Sequence, residues 1–244
     1  MTTFSAESFY DRYWQHRIAR GDAVADNRVK LRHEQTAAFI SETLPDAANA
    51  RLLDLGCGDG VMGQLLKASG YDVTGVDVSW QALDVASRHY STTVRMDVER
   101  ETPPSGWTGS FDGVIALEML EHLESPRRAI ALTHELCRPG GVAAFSFPNL
   151  FSWKNRLAFM RGRWPNGYTT YDPREHLHAF ELRAFKHWLR GAGFEIERLA
   201  ITPDLPATKL LRHAVFRCRG LLTRLGPSLW AMQIALLCRK PSRG

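Results

Sequence analysis

Between residues 51 and 149, short apolar runs alternate with amphipathic stretches, and that alternation confines the chain to α/β architectures. RLLDLG (51–56) reads as a short buried strand, and GVMGQLLKASG (60–70) as a helix closed by Gly70. DVTGVDVS (72–79) is a second strand, WQALDVASRHY (80–90) a helix and TTVRMDVE (92–99) a third strand. FDGVIALEM (111–119) is a fourth strand, and SPRRAIALTHELCRPGG (125–141) a helix ended by Pro139, Gly140 and Gly141. VAAFSFPN (142–149) follows as a fifth. Strands separated by helices run parallel with right-handed crossovers, so a doubly wound α/β fold is expected. Beyond Asn149 the spacing predicts a helix (181–192), a strand FEIERLAI (194–201) and a last strand within LWAMQIALLCRK (229–240) paired with it. Residues 4–44 read as helical. A chain of 244 residues accommodates one large domain with a full core. Residues 1–244 are therefore taken as a single domain with an N-terminal helical cap (1–44) and inserts at 150–178 and 203–228.

Bulk properties exclude several classes. Hydrophobic residues at 44% and charged ones at 23% are those of a globular protein rather than a disordered one. Cys57, Cys137, Cys218 and Cys238 are far apart with no CxxC pair, which argues against structural zinc and fits a reducing compartment. MTTFSAESFYDRYW has no apolar run behind a basic start, so no signal peptide is expected, and no window is apolar for long enough to cross a membrane. A cytoplasmic protein is the expectation. The net charge of +5 is too small to name a partner.

LLDLGCGDG (52–60) places Gly56, Gly58 and Gly60 at the carboxyl end of the first strand, just before a helix. Glycine there allows a tight turn and close backbone approach to a ligand. Gly58, Gly60 and Gly63 also spell GxGxxG, the dinucleotide pattern, so two ligand classes compete. Asp77, ending the second strand, suits both, because a carboxylate there can accept two ribose hydroxyls. Asp54 and Asp97 separate them. Asp54 precedes the glycines, where it would orient an amino group and repel a pyrophosphate; Asp97, ending the third strand, can accept from an adenine amino group. Amine, ribose and adenine without phosphate describe S-adenosylmethionine.

The run DLGCGDG, with Asp77 and Asp97 at the following strand ends, resembles the class I methyltransferases over roughly residues 50–200. The resemblance implies a seven-stranded, mostly parallel sheet whose last strand is antiparallel. It also implies that S-adenosylmethionine is held by Asp54, Gly56, Cys57, Gly58, Asp77, Val78, Asp97, Val98 and Leu117.

The fourth strand delivers EMLEH (118–122) to the same end of the sheet. Were this run helical, at ~100° per residue Glu118, Glu121 and His122 would share one face. Two carboxylates and an imidazole can hold a divalent cation such as Mg²⁺ or Mn²⁺, with a fourth ligand from EHLHAFEL (175–182). The ExxEH pattern with a later histidine is similar to two groups of metal-dependent O-methyltransferases. One acts on polyprenyl catechols in ubiquinone synthesis, the other on the terminal ribose 2′-hydroxyl of small RNAs. That resemblance makes His178, rather than His176, the later ligand. Three readings stay open: a metal on Glu118, Glu121, His122 and His178; a metal-free base at His122 or His178 beside Glu121; or structural roles alone.

The insert at 150–178 mixes Trp153, Phe159, Trp164, Tyr168 and Tyr171 with Arg156, Arg161 and Arg163, and is read as a substrate lid. Stacking on a nucleic-acid end is one use of such a mixture. Without a larger basic surface, a small hydroxylated acceptor, aromatic or lipid-linked, is favoured. FYDRYW (9–14) resembles the helix that covers the cofactor in these enzymes. In 207–225, Leu210, Leu211, Ala214, Cys218, Leu221, Leu222 and Leu225 form an apolar stripe against basic residues. Such a helix either packs on the domain or lies on an anionic membrane surface at the inner face. The alternatives to O-methylation are metal-free transfer to nitrogen or to a sugar, or a non-catalytic partner protein of this fold. No feature calls for an obligate protein partner.

Overall fold

A computed structural model describes residues 5–21, 29–165, 176–203 and 219–242. Helices α1 (Ala6–Ala19) and α2 (Leu31–Thr43) precede β1 (Arg51–Leu55), α3 (Val61–Ala68), β2 (Asp72–Asp77), α4 (Trp80–Ala86) and β3 (Thr92–Arg95). Then come β4 (Phe111–Leu117), a 3₁₀ turn (Leu120–His122), α5 (Pro126–Leu136), β5 (Cys137–Pro148) and α6 (Trp153–Met160). The chain closes with α7 (Leu182–Gly191), β6 (Glu195–Pro203), α8 (Arg219–Leu225), α9 (Pro227–Trp230) and β7 (Ala231–Arg239).

The seven strands lie in the order β3-β2-β1-β4-β5-β7-β6. All neighbours are parallel except β7, which runs antiparallel to both β5 and β6. The expected pairing of the last two strands is therefore present. Strand order reverses between β1 and β4, and in open α/β sheets ligands bind outside the carboxyl ends of the strands at such a reversal.

Period-2 alternation sorts each strand between two cores. Leu53, Leu55, Phe145 and Phe147 face α5 and α7, while Leu52, Val142 and Ala144 face α2 and α3. On the first face the rings of Phe145, Phe147, Phe180, Phe185 and Phe194 pack edge-on or tilted. Beneath the second, Phe39 and Ile40 of α2 are buried against Leu66 of α3.

One boundary differs from expectation. The helix stops at Leu136, and residues 137–141 open β5 instead of closing α5. Pro139 cannot continue a helix, and Cys137 already pairs with Phe111 before a bulge lets Val142 pair with Gly113. The third strand is also shorter than expected, ending at Arg95, so Asp97 lies in the turn after it.

Helix α1 is fastened across the carboxyl ends of β2 and β3. The Ser79 hydroxyl donates to Asp11 at 2.6 Å, the Gln81 amide donates to the same oxygen, and Arg95 joins Glu7 to Glu101. Of the basic segment 207–225, only the part in α8 is described, where Leu221 and Leu225 are exposed. Tyr168 and Tyr171 lie outside the described residues. Among the described residues no helix is long and apolar enough to cross a membrane.

Candidate active site

The carboxyl ends of β1, β2 and β4 open into a cavity of about 550 Å³. All nine residues expected to hold the methyl donor line it: Asp54, Gly56, Cys57, Gly58, Asp77, Val78, Asp97, Val98 and Leu117. The loop after β1 turns on left-handed backbone, with φ +69° at Gly56 and +52° at Gly58. A Cβ at Gly56 would lie 2.7 Å from Met119 Cγ, and one at Gly58 would lie 3.0 Å from the Trp14 ring. Only glycine allows the loop to pass between the start of the EMLEH run and α1.

The three aspartates are fixed by their own surroundings. Asp77 Oδ2 accepts from the Gly58 amide at 3.0 Å and Oδ1 from the Ser79 amide at 3.0 Å. Each oxygen keeps a lone pair for a ligand hydroxyl. Burial pushes the Asp77 carboxyl up, and the amide bonds from Ser79 and Gly58 work against that. Asp97 Oδ1 accepts from the Glu99 amide at 2.9 Å. Asp54 Oδ2 accepts from the Tyr90 hydroxyl at 2.5 Å. Burial takes the Asp54 carboxyl up to about 7, with the Tyr90 bond opposing and Asp77 adding to the rise. The Cys57 thiol, buried beside Asp77 and Asp54, is held well above its ordinary value and is no nucleophile.

Helix α1 forms one wall with Tyr10, Tyr13 and Trp14, as the covering-helix resemblance implies. Four basic wall residues, Arg17, Lys30, Arg32 and His33, escaped the sequence reading. Arg17 donates to the Tyr13 hydroxyl at 2.8 Å and lies over the Trp14 ring. Arg32 is 8% exposed; its Nη1 donates to Gln233 at 3.0 Å, and its Nε is buried without a hydrogen-bond partner. Burial, with Arg32 and Lys30 nearby, drives the His33 imidazole down to about 3, so it is neutral and accepts from the Lys30 amide. No pattern in the sequence marks these residues, because they come from α1 and from the start of α2, outside the strand-end motifs.

The EMLEH run departs from a regular helix. Glu118 stands at φ +50°, and only Leu120–His122 form a 3₁₀ turn. Glu118 lines the same cavity as Glu121 and His122 but is not among the residues whose ligand-type atoms cluster. Its two oxygens accept from the Ser146 hydroxyl at 3.0 Å and from Gln233 Nε2 at 2.7 Å. Glu121 and His122 meet His176 instead, with ligand-type atoms of all three within 4.8 Å of one another. His122 Nε2 is 3.9 Å from Glu121 Oε1, and the His122 and His176 rings are 4.8 Å apart. His178 does not join this cluster or line the cavity. The Leu177 and His178 amides both donate to the Glu121 carbonyl, which bends the chain and leaves the His178 ring stacked on Phe180. Of residues 150–178, among those described, His176 and Leu177 alone reach the cavity. Trp153, Phe159 and Trp164 do not.

Glu121 is 1% exposed, and its Oε2 has no hydrogen-bond partner. Burial, then the charge of Glu118, holds its carboxyl well above the usual range. Tyr10 meets His122 edge-on at 6.1 Å, so an aromatic wall borders the cluster.

The profile of a family described as a methyltransferase domain matches residues 28–199. The chain is similar to the ubiquinone biosynthesis O-methyltransferase of Thiobacillus denitrificans, at 32% identity over 76% of this chain and 79% of that protein. It is 32% identical to the corresponding protein of Saccharophagus degradans, over 71% and 75% of the two chains. The fold resembles magnesium protoporphyrin IX methyltransferase from Synechocystis, solved with bound SAH. That match has TM-score 0.63 and 18% identity, covering 96% of this chain and 97% of that one.

Proposed function

The chain belongs to the methyltransferase domain family, and we propose that it moves the methyl group of S-adenosylmethionine to a hydroxyl oxygen of a small acceptor. The donor's groups match the cavity one by one. Its amine, ribose hydroxyls and adenine amino group need acceptors, and in this reading Asp54, Asp77 and Asp97 supply them. Its carboxylate needs a cation, and Arg17, Lys30 and Arg32 stand in the wall. The cavity falls within the size range of small-molecule sites. When bound, the donor supplies an electrophilic methyl on a sulfonium. What the chain adds is mostly positioning, with the acceptor oxygen held in line and water kept out.

One observation carries the choice of a hydroxyl: the buried Glu121 with an unpartnered oxygen, beside His122 and His176, in the same cavity as the glycine loop. A free hydroxyl is a poor nucleophile at neutral pH and must lose its proton. A carboxylate and two imidazoles are a fitting donor set for Mg²⁺ or Mn²⁺, and the charge of such an ion would let Glu121 ionise. Bound there, the ion would lower the pKa of an acceptor hydroxyl. Glu118, with both oxygens taken by neutral donors, acts in this reading from behind the cluster. Without an ion, His122 or His176 is the residue that would receive the hydroxyl proton; with one, both would be its ligands. The Tyr10 edge favours an aromatic acceptor, and the relatives' role in ubiquinone biosynthesis supports a lipid-linked one.

The test is transfer of labelled methyl from S-adenosylmethionine to a panel of catechols, phenols, amines and sugars. Label on a catechol oxygen, lost with chelator and restored by Mg²⁺ or Mn²⁺, is the expected result. Label on nitrogen or sugar alone overturns the reading. Oxygen transfer indifferent to chelation removes the cation but leaves the histidine base.

A further inference from the structure

Tyr90 follows α4 on the far side of the glycine loop, 2% exposed and outside the cavity lining. Both functions of its hydroxyl are engaged. It donates to Asp54 Oδ2 at 2.5 Å and accepts from the Gly63 amide, in the first turn of α3, at 3.2 Å. Two glycines leave room for its ring. A Cβ at Gly63 would stand 2.5 Å from Tyr90 Cζ, and one at Gly75 would stand 3.0 Å from Tyr90 Cγ and Cδ2. Gly63 lies inside a helix, where glycine is unfavourable relative to alanine. The last glycine of the GxGxxG pattern is therefore explained by a tyrosine rather than by a pyrophosphate.

A phenylalanine would fill the same space. The hydroxyl adds one thing, a hold on Asp54. Among the described residues Tyr90 is the one hydrogen-bond donor to that carboxyl, whose second oxygen is left for the cavity. We propose that Tyr90 is a positioning residue for the methyl donor: through Asp54 it aims a carboxylate oxygen at the donor's amino group. The proposal rests on the reading that assigns Asp54 to that amine. Beyond Tyr90, the titratable groups beside Asp54 are Asp77 from β2, which disfavours its charge, and the Cys57 thiol from the loop, held neutral by burial. The Tyr90 hydroxyl is the group that favours it.

Binding of two ligands to the full-length protein separates positioning from packing. S-adenosylhomocysteine carries the amino group; 5′-methylthioadenosine has the same ribose and adenine without it. Tyr90→Phe is expected to weaken S-adenosylhomocysteine about 10-fold, the effect of losing a buried charge-assisted hydrogen bond, and to leave methylthioadenosine within about two-fold. The KM for S-adenosylmethionine should rise while kcat holds. The pH below which S-adenosylhomocysteine affinity falls should move upward, because Asp54 then keeps its proton to higher pH. Equal weakening of both ligands, or of neither, overturns the proposal. Asp54→Asn serves as the control on the underlying assignment. If it too fails to discriminate between the ligands, the assignment of Asp54 fails; if it discriminates and Tyr90→Phe does not, only the role of Tyr90 fails. Should Tyr90→Phe not fold, 3-fluorotyrosine placed at position 90 keeps the shape and strengthens the donor. A change of about two-fold or more confined to S-adenosylhomocysteine then supports the proposal, and none overturns it.

Discussion

The cavity has two halves built on different principles. On the donor side, each key carboxylate is satisfied locally: Asp77 by the amides of Gly58 and Ser79, Asp97 by that of Glu99, Asp54 by Tyr90. On the acceptor side, Glu121 is buried with an unpartnered oxygen. A buried polar group without a partner is costly, so Glu121 marks where an acceptor or an ion would be stabilised, whereas the three aspartates of the donor half are already held in place. In the proposed reading, a donor site whose carboxylates are already held faces a buried carboxyl with an unpartnered oxygen, where an acceptor or an ion would sit.

Breaking the donor half gives the largest expected effect. Asp77→Ala removes the acceptor for two loop amides and, in the proposed reading, both ribose contacts, and S-adenosylhomocysteine affinity measured by calorimetry should fall at least about 100-fold. Breaking the acceptor half should look different. Glu121→Gln is expected to cut methyl transfer about 10- to 100-fold with S-adenosylhomocysteine affinity within about two-fold. Gly63→Ala strikes the seat of Tyr90, and denaturant unfolding should report a loss of about 1–3 kcal/mol from overpacking.

A pH series sharpens the contrast. The Asp54 carboxyl lies near 7 in the folded chain and in the ordinary carboxylate range when unfolded. Its contribution to stability is therefore full below about pH 4 and is lost as pH rises through about 7. The melting temperature of the ligand-free protein, taken relative to Asp54→Asn, should fall between pH 5.5 and 7.5. A rise would contradict the buried carboxyl. The smallest effect is expected at His178, stacked on Phe180 outside the cluster: His178→Ala should change transfer by less than about two-fold, against a loss of about 10-fold or more for His176→Ala.

The same division explains what the sequence could and could not reveal. The donor side is written in contiguous runs: a strand ends, glycines turn, and aspartates follow at successive strand ends, so Asp54, Gly58 and Asp77 could be read in order. The parallel strands followed from the alternation of strands with helices, and the antiparallel β7 from the family resemblance. The acceptor side depends on encounters between distant residues. A helical count placed Glu118 on one face with Glu121 and His122, but its backbone is left-handed and its oxygens are taken by Ser146 and Gln233, and no propensity favours φ +50° at a glutamate. The choice between His176 and His178 rests on two amides meeting the Glu121 carbonyl, a contact invisible to spacing. Arg32 is tied to Gln233 across 201 positions, beyond any local pattern. The helix end at 137–141 was misread because a Pro-Gly-Gly run stops a helix equally well when a strand begins at once.

The central claim is that donor binding and acceptor activation are separable halves of one cavity. Measuring S-adenosylhomocysteine binding and labelled methyl transfer to a catechol on one preparation of Glu121→Gln tests it most directly. Expected are wild-type affinity for S-adenosylhomocysteine, transfer reduced about 10- to 100-fold, and no recovery on adding Mg²⁺ or Mn²⁺. Transfer at the wild-type rate, or loss of S-adenosylhomocysteine binding together with transfer, would contradict it.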